Sequence, residues 1–199
     1  FGEEDNTFDN GDYALLYAQG PDDWQLDPGS LQNSRHQKNI YADKATYFIT
    51  TDQGPGLRIE NSPAIDNNAA VPLNTYQDFF VHELEERNLF ANGQQWLGED
   101  LSFTNSKSYT LDFSGLVTTD NLYARLRGVA VSSSVSNMTL DINGQKVIDL
   151  AFSPVSNNSL RLASTAEGLQ SILQSNPQLN ITVTFNNNGN PSAKGYLDY

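Results

Sequence analysis

The feature that most constrains this chain is a two-residue hydrophobic alternation that recurs between turn signals. Met138-Thr-Leu-Asp-Ile142 and Gln145-Lys-Val-Ile148 alternate apolar with polar residues and flank Asn143-Gly144. Period-two patterning puts the apolar side chains of a strand on one face. Asn-Gly accepts the positive φ that both central positions of a type I′ turn require, so this segment predicts a β-hairpin. Tyr13-Ala-Leu-Leu-Tyr17, Ala45-Thr-Tyr-Phe-Ile-Thr-Thr51, Tyr109-Thr-Leu-Asp-Phe113 and Leu179-Asn-Ile-Thr-Val-Thr-Phe185 carry the same aromatic and β-branched signal. Leu122–Val131 predicts a longer strand, with Leu122, Ala124, Leu126 and Ala130 on one face and Tyr123, Arg125 and Arg127 on the other. Two arginines at alternate positions mean that this second face is wet or pairs with acids.

Residues 186–190 read as a turn and 193–199 as a returning strand, so the last residue falls inside or just after an element. Helix signals are scarce. Ser164-Thr-Ala-Glu167 fits a capping box ahead of Leu169, Ile172 and Leu173, which predicts a short helix over about 165–174 despite Gly168. The stretch 76–92 reads equally as helix or strand. Connectors rich in Gly, Pro, Asn and Asp lie at 22–39, 53–56 and 61–74.

Short strands broken by turns predict a mainly β chain: an antiparallel β-sandwich of jelly-roll type with at most one or two short helices. The expected organisation is one sandwich over 1–199, a fragment of a longer protein. The alternative is a subdivision into an acidic part, 1–95, and a jelly-roll-like part, 96–199. The opening Phe1, in place of Met, reads as a mature form or an excised piece, and no signal peptide is recognised.

Charge narrows the partners. The net charge is −13, and residues 1–100 hold 18 acids against 5 bases while 101–199 hold 6 of each. So acidic a balance argues against nucleic acid, whose phosphates need Lys and Arg, and against anionic membrane surfaces. No run approaches the roughly 18 apolar residues of a membrane-spanning helix, and membrane insertion is not expected. The sequence contains no cysteine, so within these residues there is no disulfide, thiolate metal site or cysteine nucleophile.

His36 and His82 are the histidines. Neither lies in Gly-x-Ser-x-Gly or His-Glu-x-x-His; His82-Glu83 begins the latter, but Glu86 stands where its second histidine belongs. No catalytic residue is assigned. Paired carboxylates are plentiful, yet they cluster in polar, loop-like sequence that leaves them solvated, which disfavours a glycosidase. In the acidic opening, Asp5, Asp9 and Asp12 are candidate ligands for a structural calcium ion. An EF-hand is excluded, because aligning Gly11 with its glycine puts Phe8 at a ligand position and Tyr17 where the closing Glu belongs. Trp24 and Trp96 are candidates for a sugar-stacking platform, against a core role for both.

A run of motifs carries a resemblance. Asp12-Tyr-Ala-Leu-Leu-Tyr-Ala-Gln-Gly-Pro21 with Trp24, His36, Lys38-Asn-Ile-Tyr-Ala-Asp43, Tyr47-Phe-Ile-Thr-Thr51 and Gly54-Pro-Gly-Leu-Arg-Ile59 come first. His82-Glu83, Asn88-Leu89 and Gly93-Gln-Gln-Trp-Leu-Gly-Glu99 follow. The series resembles the region ahead of the catalytic domain in sortases of the type IX secretion system, Bacteroidetes surface proteins with a gingipain-like cysteine peptidase domain. It is dense over 3–100 and thinner beyond, where Gly195-Tyr-Leu-Asp-Tyr199 continues it. Gln94-Gln95 departs from an expected Arg-containing version. The resemblance implies a cell-surface, outer-membrane-associated protein whose catalytic Cys and His lie downstream. This chain would then be a non-catalytic accessory β-domain, without cofactor, that positions the peptidase domain or its secreted protein substrates. The alternative reading is a carbohydrate-binding or calcium-stabilised adhesion module.

Overall fold

The structure, a computed structural model, describes residues 7–50, 54, 74–89, 91, 93, 95–156 and 161–199. The chain divides into two compact units: Phe1–Gln25 with Arg35–Gln77, and Leu26–Ser34 with Asp78–Tyr199.

In the first unit, β1 (Asp23–Gln25) pairs antiparallel with β2 (Arg35–Gln37), placing Trp24 opposite His36. Asp22 Oδ1 accepts the Asn39 N–H at 2.9 Å, and the Tyr47 hydroxyl donates to the Gln19 carbonyl at 2.6 Å. The segments expected as strands at 13–17 and 45–51 differ from that reading. Their described residues run as irregular chain, with Leu15, Leu16, Tyr17, Phe48 and Ile49 exposed. Alternation says which side chains would share a face, but a strand needs a second backbone to take its N–H and C=O groups.

The second unit is the sandwich. Its strands are β3 (Ser106–Asp112), β4 (Leu122–Val131), β5 (Ser136–Ile142), β6 (Gln145–Phe152), β7 (Ser164–Ile172), β8 (Gln178–Asn186) and β9 (Lys194–Leu197). They form a four-stranded sheet in the order β3-β8-β5-β6 and a three-stranded sheet in the order β7-β4-β9, with every pairing antiparallel. The chain changes sheet at every connection except the β5–β6 hairpin, as in jelly-roll sandwiches. That hairpin turns at Asn143 and Gly144, with φ of 51° and 80°, as their sequence requires.

The core lies between the sheets. Met138, Leu140 and Ile142 of β5, Ile148, Leu150 and Phe152 of β6, and Leu179, Val183 and Phe185 of β8 face Leu126, Ala130, Ile172 and Leu197 of the other sheet. A second cluster of Leu97, Val129, Ala163 and Tyr196 covers the opposite face of β4, so that strand is buried on both sides near Gly128. The sheets approach most closely at glycines. A Cβ at Gly128 would lie 2.8 Å from Met138 Sδ, and one at Gly195 would lie 2.7 Å from Phe185 Cδ1 and closer still to Cγ. The face of β4 that carries arginines pairs with acids, as its sequence suggests: Arg125 meets Glu167 at 2.7 Å and Arg127 meets Asp198 at 3.3 Å.

The helix expected over 165–174 is a correction, because residues 165–172 lie in β7 (Ser164–Ile172) and 173–174 follow it as irregular chain. Ser164 does not cap a helix; its Oγ accepts the Ser153 N–H at 3.1 Å. β4 offers a continuous ladder from Leu122 opposite Ile172 to Ala130 opposite Ser164. A capping box contributes about 1 kcal/mol, too little to compete with that pairing and the burial beneath it. Gly168, a weak helix former, suits the sheet: a Cβ there would lie 2.8 Å from Leu150 Cδ2. The stretch 76–92 is neither helix nor strand among its described residues, apart from one bridge between Arg87 and Leu97.

Candidate functional site

The family-like motif at 93–99 is put to use at the edge of the three-stranded sheet. Residues 97–101 run antiparallel beside β9: Gly98 N–H donates to the Leu197 carbonyl, Leu197 N–H to the Glu99 carbonyl, and Leu101 N–H to the Gly195 carbonyl, at 2.8, 3.0 and 2.8 Å. Leu97 is the anchor, fully buried in the second cluster. Gly98 lets the preceding segment close down. A Cβ there would meet Leu84 Cβ at 3.2 Å and the Leu84 and Leu197 carbonyl oxygens at 3.3 Å. With Leu84 seated on Gly98, His82 comes within reach of Glu99.

Glu99 is the centre of a three-residue cluster. It is 9% exposed, and its Oε1 accepts from His82 Nε2 at 2.8 Å and from the Tyr109 hydroxyl of β3 at 2.6 Å. The His82 and Tyr109 rings lie 4.4 Å apart between centroids. Burial pushes the Glu99 carboxyl upward, but the bonds from Tyr109 and His82 outweigh it and hold it below the usual glutamate value. The anion can only accept, so His82 Nε2 carries the proton. Burial, with the Glu99 bond and charge, pushes the Tyr109 phenol far above its usual range. Tyr109 is therefore a permanent hydroxyl donor at neutral pH. Two donors on one buried oxygen tie segment 82–99 to the four-stranded sheet. Among the described residues no hydroxyl nucleophile is hydrogen-bonded to His82.

A second group surrounds Asp198, which is 6% exposed. Burial raises its carboxyl to about 6, Glu83 and Glu85 add to the rise, and Arg127 and the Gln95 amide oppose it. Arg127 Nε stands 3.3 Å from Oδ2 without hydrogen-bond alignment, which explains why the ion pair compensates burial incompletely. The Arg127 guanidinium also lies over the Tyr199 ring, 5.8 Å from its centroid.

The other residues singled out from sequence sit elsewhere. Asp5 lies outside the described residues. Asp9 and Asp12 close a turn on themselves, with Asp12 Oδ2 accepting the Asp9 N–H at 3.2 Å and the Asp9 carbonyl accepting the Asp12 N–H at 3.1 Å. Among the described residues no group of three His, Asp or Glu side chains is arranged to hold a metal ion. His36 packs edge-on against Trp24 at 5.3 Å in the first unit. Trp96 is partly exposed in the second. Tyr109 was not distinguishable by sequence, since it occupies an ordinary strand-like context; Asp198 fell within the Gly195-Tyr-Leu-Asp-Tyr199 motif, but nothing in that motif signals its burial.

No known family profile matches the chain. No curated protein matches it either. Among solved structures, dimeric latent PorU from Porphyromonas gingivalis aligns with a TM-score of 0.63 at 19% identity, over 92% of this chain and 17% of that one. The likeness is one of fold, and the chain spans about a sixth of the PorU length. A carbohydrate-binding module CBM36 in complex with calcium and xylotriose aligns at TM-score 0.31 and 14% identity, over 47% of this chain and 68% of that one. A CBM36-1 domain of a xylanase from the hindgut metagenome of Trinervitermes trinervoides aligns at 0.39 and 18%, over 61% and 84%. Among the described residues no helix is long and apolar enough to cross a membrane.

Proposed function

We propose that this chain is a non-catalytic accessory β-domain of a larger cell-surface peptidase of the type IX sortase kind, positioning the peptidase domain or its protein substrate. The observation that carries the reading is a fold match over 92% of this chain to a segment amounting to 17% of a much longer protein. The use made of the motif residues supports it. His82 and Glu99, the pair most open to a catalytic interpretation, are joined to Tyr109 in a latch that fastens the edge segment to the sandwich. A histidine oriented by a carboxylate acts as a general base only with a nucleophile at its other ring nitrogen, and among the described residues no hydroxyl is hydrogen-bonded to His82; that of neighbouring Tyr109 donates to the Glu99 they share. The isolated 199-residue chain is expected to leave a broad peptide library intact over long incubation. Turnover that disappears on His82→Ala would overturn the assignment.

A further inference from the structure

Away from the latch, the outer face of the four-stranded sheet carries an open cleft of about 250 Å³, lined by Ser102, Asn105, Asn137, Thr139, Thr184 and Asn186. The ladder register sets Asn137 opposite Asn186 and Thr139 opposite Thr184. These four outward side chains form a block with spacings of about 5 Å across the strands and about 7 Å along them. Asn137 Nδ2 donates to Asp149 at 2.8 Å, which fixes the amide and leaves its oxygen for another donor. Among the described residues the Asn105 amide and the Thr184 hydroxyl have no side-chain partner in the protein. Beside the cleft, in the turn between Ser102 and Asn105, Phe103 is fully exposed. A phenyl ring held wholly in water next to unpaired amide and hydroxyl groups points to a ligand that covers both.

We propose that this cleft binds a neutral saccharide, whose hydroxyls meet the Asn and Thr block and whose ring face meets Phe103. No charged side chain lines the cleft itself, and the carboxylates behind it, Asp149 bonded to Asn137 at 2.8 Å and Asp141 accepting from the Thr139 hydroxyl at 3.3 Å, disfavour an anionic ligand. The backbone groups of β5 and β8 bond to each other beneath it, which leaves no free strand edge for a peptide main chain to pair with. Side chains that both donate and accept, together with an aromatic ring, match a polyol with an apolar ring face. Neither Trp24 nor Trp96, the residues expected to form a stacking platform, lines the cleft, and the proposal stands or falls independently of the peptidase reading.

The test is calorimetric titration of the intact chain with cellotetraose, xylotetraose, mannotetraose and triacetylchitotriose. At least one is expected to bind with a Kd of about 0.1–1 mM. Phe103→Ala and Asn105→Ala should each weaken that binding about tenfold. Thr110→Ala, on the same face of β3 outside the cleft, should leave it unchanged, and all three variants should keep the parent Tm. Absence of binding up to about 10 mM across the panel, binding that survives both cleft substitutions, or equal binding of an uncharged Ser/Asn tetrapeptide would each overturn the proposal.

Discussion

Gly195→Val is expected to destabilise the sandwich by about 3 kcal/mol or more. At roughly 2–4 °C per kcal/mol for a chain of this size, the Tm should fall by about 6–12 °C. The new Cβ would lie 2.7 Å from Phe185 Cδ1 and closer to Cγ, well inside van der Waals contact. Phe185 is 2% exposed and enclosed by the main core, so its ring has nowhere to retreat. Because the clash is with one side chain, shortening that side chain should relieve it. Phe185→Leu alone should destabilise, yet the double variant should be more stable than the sum of the two single effects predicts. Thermal melts of the four proteins measure this, and strict additivity would show that the sheets do not close on Gly195 as described.

Asp198→Asn should work in the opposite direction. A buried carboxyl raised to about 6 from the ordinary 3.8 binds a proton in the folded state over a range where the unfolded chain has released it. Stability therefore falls as pH rises from about 4 to about 6 and stays lowered above that, by up to about 3 kcal/mol. Asparagine mimics the protonated form, so the variant should melt several degrees higher than the parent at pH 7–8, with the advantage vanishing near pH 4. Glu99 has the contrary sign. Its carboxyl lies below its ordinary value, so its contribution is present above about 4.5 and is lost as pH falls through the lower folded value. The two windows overlap only at about pH 4–4.5, and the difference in Tm between parent and Asp198→Asn cancels the Glu99 contribution and isolates the first. A difference that does not change between pH 4 and 8 would mean that Asp198 is not desolvated in the folded chain.

How far the sequence revealed this structure depended on whether a signal was local. The Asn143-Gly144 hairpin needs only positive φ at two residues, and Leu122–Val131 and β8 alternate over lengths that leave one face no choice, so these elements were legible. The capping box at Ser164 was equally local and misled, because β4 had a vacant edge that the sequence of β7 does not announce. Tyr13-Ala-Leu-Leu-Tyr17 misled in the other direction: it is rich in aromatic and aliphatic residues, but it lacks the apolar-polar alternation of β8 and the described residues form no strand there. Within the candidate site, the run ending in Trp96-Leu97-Gly98-Glu99 stood out, and its parts now have physical roles as anchor, close approach and latch. Tyr109 could not be found in advance. It lies ten residues beyond Glu99 in the opposite sheet, and only the folding of one sheet over the other brings its hydroxyl to that carboxylate.

The acidic excess of the first hundred residues falls on the motif-bearing stretch, while the neutral half supplies all seven strands of the sandwich. Under the proposed function, the acidic stretch would be the partner-facing segment and the neutral half its scaffold. The most direct measurement takes the longer peptidase that the proposed function calls for and compares it with a form lacking these 199 residues, assayed in parallel on a short peptide and on a folded protein substrate. The account predicts that cleavage of the short peptide persists within about twofold while processing of the folded protein falls by about tenfold or more. Loss of both activities together in a form whose peptidase domain remains folded, or retention of both, would contradict it.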